Sequence, residues 1–118
     1  MSETSSIVSP LLKLLQAWPG VSAQRNHQGG SSRRGQWIRT ASKDKGRPDI
    51  TGVIAPHGRA FSIECKMPKT GRISDDQKKW RDNFEQLGGF YAIITTVSQG
   101  VGWIRYWQDK EQQRKQSA

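Results

Sequence analysis

"RPDITGVIAPHGRAFSIECKMP", the stretch from Arg47 to Pro68, decides the fold of this chain. Two runs rich in apolar and β-branched residues, Asp49 to Ile54 and Arg59 to Lys66, flank the turn sequence APHG at Ala55 to Gly58. Runs of this composition around a short turn are typical of two antiparallel strands. The stretch therefore predicts a β-hairpin, but its apolar alternation does not explain the charged residues that interrupt it.

The register of this hairpin predicts that three charges lie together. If Ile54 and Arg59 close the turn, Asp49 lies directly opposite Glu64, and residues opposite each other share one face of the sheet. Lys66 follows Glu64 by two residues and therefore joins the same face. Two carboxylates in this arrangement can share a divalent cation, whereas a solvated cluster of ion pairs is the alternative. Spacing alone leaves both interpretations open.

The chemistry that such a cluster favours is hydrolysis of a phosphodiester. A cation between Asp49 and Glu64 would lower the pKa of a bound water and polarise a phosphoryl oxygen. Lys66 would add a positive charge and a partner for proton transfer beside that water. Gln77 has two alternative interpretations, since it could orient the cluster or could serve only as the capping-box partner of Ser74.

Composition points to a polyanionic partner inside the cell. The chain has 19 Lys and Arg against 10 Asp and Glu, a net charge of +9, so nucleic acid is the leading partner and a merely well-solvated basic protein the alternative. Cys65 is the single cysteine and is expected in the core, so no internal disulfide can form. No apolar run of membrane length and no signal-peptide pattern occur, which predicts a cytoplasmic protein without membrane contact.

The helices are predicted from apolar spacing and terminal signals in a single domain that spans residues 1–118. Helix one is expected within Ser5 to Trp18, where apolar residues recur at helical spacing before the sequence WPG. Helix two is expected from Asp75 to Leu87, after the capping-box pattern that begins at Ser74 and before two glycines. These elements fall in a core expected to span about residues 7–97.

The remaining segments are predicted as strands, a loop and a tail. A mobile basic loop is predicted from Arg25 to Gly35, and a short strand from Gln36 to Thr40. The apolar run from Phe90 to Val97 is expected to be a strand buried on both faces. Val101 to Trp107 is expected to add a short strand or edge segment, and the polar tail at 108–118 is expected to fray.

Four quoted pieces of the chain then resemble one nuclease family. "GRPDITG", "FSIECKMPKTGRIS", the glutamine Gln77 and "GGFYAII" are similar to the VRR-NUC family, the virus-type replication-repair nucleases of the PD-(D/E)XK superfamily, in its stand-alone phage or viral form. Asp49 matches the family's PD, and Glu64, Cys65 and Lys66 match its E-x-K. The resemblance covers about Ile7 to Val97, and the ordered string of motifs is more specific than either short motif.

The resemblance implies both a fold and a set of site residues. The fold is an α/β restriction-endonuclease-like core of helix one, a three-stranded antiparallel sheet, helix two and a further strand. The implied metal ligands, for Mg²⁺ or Mn²⁺, are Asp49, Glu64 and the backbone carbonyl of Cys65, with Lys66 as the catalytic lysine and Gln77 beside the site. Family members usually add a glutamate from helix one, for which this chain offers only Glu3.

The expected activity is metal-dependent, structure-selective cleavage of DNA, similar to Holliday-junction resolvases that act as homodimers on branched DNA. A sequence-specific restriction-type endonuclease and a non-catalytic nucleic-acid-binding protein are the alternatives, the former disfavoured because little chain remains for a recognition element. A dimer interface is expected to use apolar and aromatic residues near the end of the chain: Trp103, Ile104, Tyr106 and Trp107. The residues expected to contact DNA are basic: Arg25, His27, Arg33, Arg34, Lys69 and Arg72.

Overall fold

The computed structural model describes residues 4–26, 46–68 and 71–117. Its helices and strands alternate along the chain in a mixed α/β order. A π-helical turn, Thr4–Val8, leads into α1 (Ser9–Gln16), and α2 (Asp75–Gln86) and α3 (Val97–Ser117) follow later; the strands are β1 (Val21–Arg25), β2 (Ile50–Ile54), β3 (Arg59–Cys65) and β4 (Phe90–Ile94).

The four described strands form one sheet in the order β1-β2-β3-β4. The hairpin of β2 and β3 is confirmed with its predicted register, since Ile54 pairs with Arg59 and Ile50 with Ile63. β1 pairs antiparallel with β2, whereas β4 runs parallel to β3. Parallel neighbours need a crossover connection, and α2 supplies it.

Helices cover both faces of the sheet. On one face α1 and α3 enclose the core, to which β3 contributes Phe61, Ile63 and Cys65, all fully buried. Cys65 is therefore a core residue, as predicted. On the other face α2 lies against β4, where the rings of Trp80 and Tyr91 are 6.3 Å apart. Of the helices in the described ranges, none is long and apolar enough to cross a lipid bilayer.

The two outer helices of the core face, α1 and α3, are tied to each other. Trp18, just after α1, donates from its indole nitrogen to Gln108 Oε1 over 2.9 Å, and Gln108 donates back to the carbonyl of Pro19 over 3.0 Å. Gly100 lets the helices approach closely, because a Cβ there would lie 2.6 Å from Leu11 Cδ2. The first and last helices thus cover the core as one unit.

The C-terminal part of the chain differs from the prediction. The strand expected at Val101 to Trp107 is wrong, because this segment lies within α3. Ile104 and Trp107 recur at helical spacing and are buried, so one face of a helix packs on the core. The frayed tail from residue 108 is also wrong in part, since α3 continues to Ser117 and Glu111 is only 1% exposed.

Two of the strands also depart from the prediction, and a third predicted strand is not tested. The first antiparallel strand is Val21–Arg25, so Arg25 ends a strand instead of beginning a loop. This edge strand has no fully buried residue, which weakens its hydrophobic signal. The strand predicted at Gln36 to Thr40 lies outside the described residues. β4 ends at Ile94, and its Ile93 is 39% exposed, so the strand is not buried on both faces throughout.

Candidate active site

The candidate site centres on Glu64, near the end of β3. Although charged, Glu64 is only 3% exposed. Its carboxylate oxygen Oε2 lies 3.3 Å from Lys66 Nζ, which confirms that alternation along the strand brings these two side chains to one face. A buried carboxylate is costly unless a cation or hydrogen bonds compensate it, and Lys66 supplies such a cation.

Asp49 is fixed directly to the strand that carries Glu64. Its Oδ2 accepts a hydrogen bond from the backbone N–H of Cys65 over 2.9 Å. The prediction placed Asp49 inside the first hairpin strand, but β2 begins one residue later, at Ile50. The side chain of Asp49 therefore binds β3 where a backbone carbonyl of a longer strand would otherwise have accepted the bond. The Asp49 carboxylate is therefore bound to the backbone N–H of Cys65, the residue that directly follows Glu64 in β3.

Asn26 positions Asp49 from the opposite side, and sequence reasoning missed it. The Asn26 side chain donates to the carbonyl of Pro48 over 2.9 Å, and its backbone N–H donates to the carbonyl of Asp49 over 2.8 Å. Asn26 is 7% exposed, so both bonds lie away from solvent. Its position directly after the edge strand β1 was the only available signal, and that strand was itself not recognised.

Gln77 performs both of the roles that the sequence left as alternatives. Its Oε1 accepts from the backbone N–H of Ser74 over 2.8 Å, and its own backbone N–H donates to Ser74 Oγ over 3.1 Å, which completes a capping box. Its Nε2 donates to Glu64 Oε2 over 2.9 Å. A glutamine amide has a donor end and an acceptor end, so one side chain can serve the helix and the site together.

A glycine brings the chain that leads to Asp49 against the start of α2. Gly46 has φ +82°, in the left-handed region that favours glycine. A Cβ at this position would lie 2.2 Å from the backbone oxygen of Asp76. Gly46 therefore lies directly against the backbone of the helical turn that carries Gln77.

Tyr91 is a buried phenol that is affected by the charges of the candidate site. Burial, followed by the negative charge of Glu64, raises the pKa of Tyr91 well above its usual range, and the charge of Asp49 adds to this effect. Arg81, on α2, acts in the opposite direction. Tyr91 therefore lies in a negatively charged environment on the face of the sheet that α2 covers.

The donor set fits a hard divalent cation. Asp49 and Glu64 supply carboxylate oxygens, which Mg²⁺ and Mn²⁺ prefer over nitrogen or sulfur. Within residues 4–26, 46–68 and 71–117, no group of three or more His, Cys, Asp or Glu converges. Mg²⁺ commonly binds through one or two carboxylates and retains several waters, so a pair of carboxylates is compatible with this kind of site. Glu3 lies outside the described residues.

The basic residues expected to contact DNA are only partly described. Arg25 is exposed at the end of β1, and Arg72 is exposed shortly before α2. The other four lie outside the described residues: His27, Arg33, Arg34 and Lys69.

Comparisons with known proteins identify the family and support the fold. A family model described as the VRR-NUC domain matches residues 11–98. A solved structure titled "VRR_NUC domain" is 15% identical in sequence, with a TM-score of 0.62 over 91% of this chain and 99% of that chain. At this identity the structural likeness supports the fold alone. No curated protein matches the chain.

Proposed function

The chain belongs to the VRR-NUC domain family of PD-(D/E)XK-type nucleases, and from this premise we propose that it is a metal-dependent, structure-selective DNA endonuclease. One observation carries the proposal: buried Glu64 is bound by both Lys66 and Gln77, while Asp49 is fixed to the next backbone N–H of the same strand. An exposed ion-pair cluster would need neither this burial nor these hydrogen bonds.

Asp49, Glu64 and the backbone carbonyl of Cys65 would hold Mg²⁺ or Mn²⁺, with Glu3 as a further candidate ligand. When bound, the metal supplies a water of lowered pKa and polarises the phosphoryl oxygen. The carboxylates are already oriented by protein contacts, so little conformational freedom would be lost on binding the cation.

Lys66 and Gln77 have separate tasks in this proposal. The Lys66 ammonium stabilises the negative charge that develops on the phosphate in the transition state, and it can hold or donate a proton at Nζ. Gln77 keeps the Glu64 carboxylate in place through its 2.9 Å hydrogen bond.

Branched DNA is the proposed substrate, and the four-way junction is the preferred branch. The net charge of +9 supports binding to phosphates regardless of sequence. Resolving a four-way junction needs two incisions, and one such chain has one candidate site. A two-fold dimer would present two sites, and the exposed Trp103 and Tyr106 on α3 are candidates for its interface. Their neighbours Ile104 and Trp107 pack in the core instead.

The test compares cleavage of a four-way junction with cleavage of a linear duplex of the same sequence, with and without Mg²⁺. We expect paired incisions in the junction only when Mg²⁺ is present, and at least about 100-fold slower cleavage by Glu64→Gln. Asp82→Asn is the matched control, because Asp82 is an exposed carboxylate of α2 that pairs with Arg81.

Each part of the proposal can fail separately. Equal cleavage of duplex and junction would contradict structure selectivity, and binding without cleavage would favour the non-catalytic alternative. Light scattering at micromolar concentration tests the dimer, and a monomer that still makes paired incisions would contradict it.

A further inference from the structure

Two buried hydroxyl groups lie on the face of the sheet that α2 covers, and neither has a hydrogen-bond partner among the described residues. They are Ser62 Oγ on β3 and the phenol oxygen of Tyr91 on β4. Ser62 is fully buried, and Tyr91 is 8% exposed. The two residues are direct partners in the β3–β4 ladder, so the hydroxyl groups arise from neighbouring positions on one face.

Both residues lie beside the Glu64 carboxylate. Ser62 precedes Glu64 by two residues and shares its face of β3. Tyr91 precedes Ile93, the ladder partner of Glu64, by two residues and therefore lies on the same face, although no hydrogen bond joins the side chains of Tyr91 and Glu64. A buried hydroxyl that lacks a hydrogen-bond partner destabilises the folded protein, and ordered water commonly supplies the missing partner.

We propose that ordered water joins the hydroxyl groups of Ser62 and Tyr91 to the Glu64 carboxylate, and that Tyr91 acts through this water as a positioning residue of the nuclease site. The role in cleavage rests on the proposed function. Three polar groups satisfy the two to four partners that a buried water requires. The phenol contributes this contact separately from packing, because the Tyr91 ring rests against Trp80 and a phenylalanine would keep that ring contact.

The consequence of this arrangement is an effect on metal affinity. Glu64 is a proposed ligand, and groups that orient a ligand from behind commonly change metal affinity or activity by about 10–100-fold when they are removed. Oε2 of Glu64 forms an ion pair with Lys66 and accepts a hydrogen bond from Gln77. A hydrogen bond from the water would further restrict the orientation of this carboxylate.

The experiment measures Mn²⁺ affinity by calorimetry without DNA, and junction cleavage in parallel. Tyr91→Phe and Ser62→Ala should each weaken Mn²⁺ binding by roughly 10-fold or more, and excess Mn²⁺ should restore most of the cleavage. If one water network serves both hydroxyls, the double variant should lose no more than the worse single variant. Ser22→Ala is the control, because Ser22 is an exposed serine on the same face of the sheet.

A crystal structure at high resolution supplies the second readout and separates this inference from the proposed function. Water within hydrogen-bond distance of the Tyr91 hydroxyl and Glu64 is expected whether or not the protein cleaves DNA. Its absence, or Mn²⁺ affinities unchanged in both single variants, would overturn the inference. Loss of thermal stability with unchanged Mn²⁺ affinity would assign the hydroxyls a structural role only, which also overturns it.

Discussion

Gln77 donates a hydrogen bond from Nε2 to Oε2 of Glu64 over 2.9 Å, and this bond joins the first turn of α2 to the buried carboxylate of β3. The acceptor end of the same side chain completes the capping box with Ser74. The start of the helix and the geometry of the candidate site are therefore set by one residue. Substitutions at this position can separate the two roles.

Gln77→Glu should preserve stability and abolish most cleavage. Glutamate is a good capping-box residue, so its carboxylate can still accept from the Ser74 amide. It offers no donor to Glu64, however, and places a second negative charge beside it. We expect a melting temperature close to that of the unmodified protein, with cleavage of the junction reduced by about 100-fold. Ser74→Ala should instead lower the free energy of unfolding by about 1 kcal/mol and preserve most of the cleavage. Unimpaired cleavage by Gln77→Glu would show that its bond to Glu64 is dispensable.

Lys66→Met should remove cleavage while leaving DNA binding nearly intact. The methionine keeps much of the aliphatic volume but loses the charge beside Glu64, so the transition state loses its stabilising cation. The expected fall in the cleavage rate is about 100-fold to 10,000-fold at saturating Mg²⁺. Gel-shift affinity for the junction should change little. Lys78→Met, an exposed lysine on α2, is the matched control and should cleave normally.

Two glycines of α3 should respond in opposite ways to alanine. Gly102→Ala places a Cβ in open space and should raise the free energy of unfolding by about 0.5–1 kcal/mol through helix propensity. Gly100→Ala directs its Cβ to within 2.6 Å of Leu11 Cδ2, and such overpacking costs about 1–3 kcal/mol. Urea unfolding of both variants would measure the difference, and equal stabilisation would contradict the close packing of α1 on α3.

Alkaline titration should show that the Tyr91 hydroxyl ionises at a higher pH in the folded protein than in the unfolded chain. The native chain raises the pKa of Tyr91, so it keeps a proton that the unfolded chain releases near pH 10. Stability should therefore be unaffected by this group below about pH 10 and should fall as the pH rises further. Absorbance near the tyrosinate band should show one of the two tyrosines ionising only as the chain unfolds. In Tyr91→Phe, the absorbance step that accompanies unfolding should disappear.

Neutralising basic residues should flatten the salt dependence of DNA binding. Arg72→Gln tests the described part of the chain, and Arg33→Gln with Arg34→Gln tests the predicted basic loop. Each lost phosphate contact should reduce the slope of log affinity against log salt by about one unit. Lys110→Gln on α3 is a control for net charge. If none of these arginine substitutions changes the slope, the DNA binds another surface of the protein.

The sequence specified the hairpin well because its information is local. The turn between Ile54 and Arg59 fixes the register, and the capping box at Ser74 fixes the start of α2. Both predictions were confirmed. The same register brought Lys66 and Glu64 to one face, although it could not show that Asp49 reaches β3 through its side chain.

The missed features depend on tertiary contacts. Asn26 acquires its role only when β1 pairs with β2 and brings it to Pro48. For α3, two glycines and clustered aromatics weaken the helical signal, although Val97, Val101 and Ile104 have helical spacing. Glu111 follows the buried Trp107 by four residues and so lies on the core-facing side of α3. Arg59 compensates its charge at 3.3 Å, and this pairing between distant residues could not be read from the sequence.

The bond between Trp18 and Gln108 has a consequence for synthesis on the ribosome. Asp49, Glu64, Lys66 and Gln77 all emerge before α3, yet α3 is needed to cover the core face of the strands that hold them. A nascent chain that ends after β4 therefore carries every described residue of the candidate site on a half-covered sheet. We expect the nuclease to remain inactive while it is being translated and to acquire its cutting ability only when the last helix closes over the first.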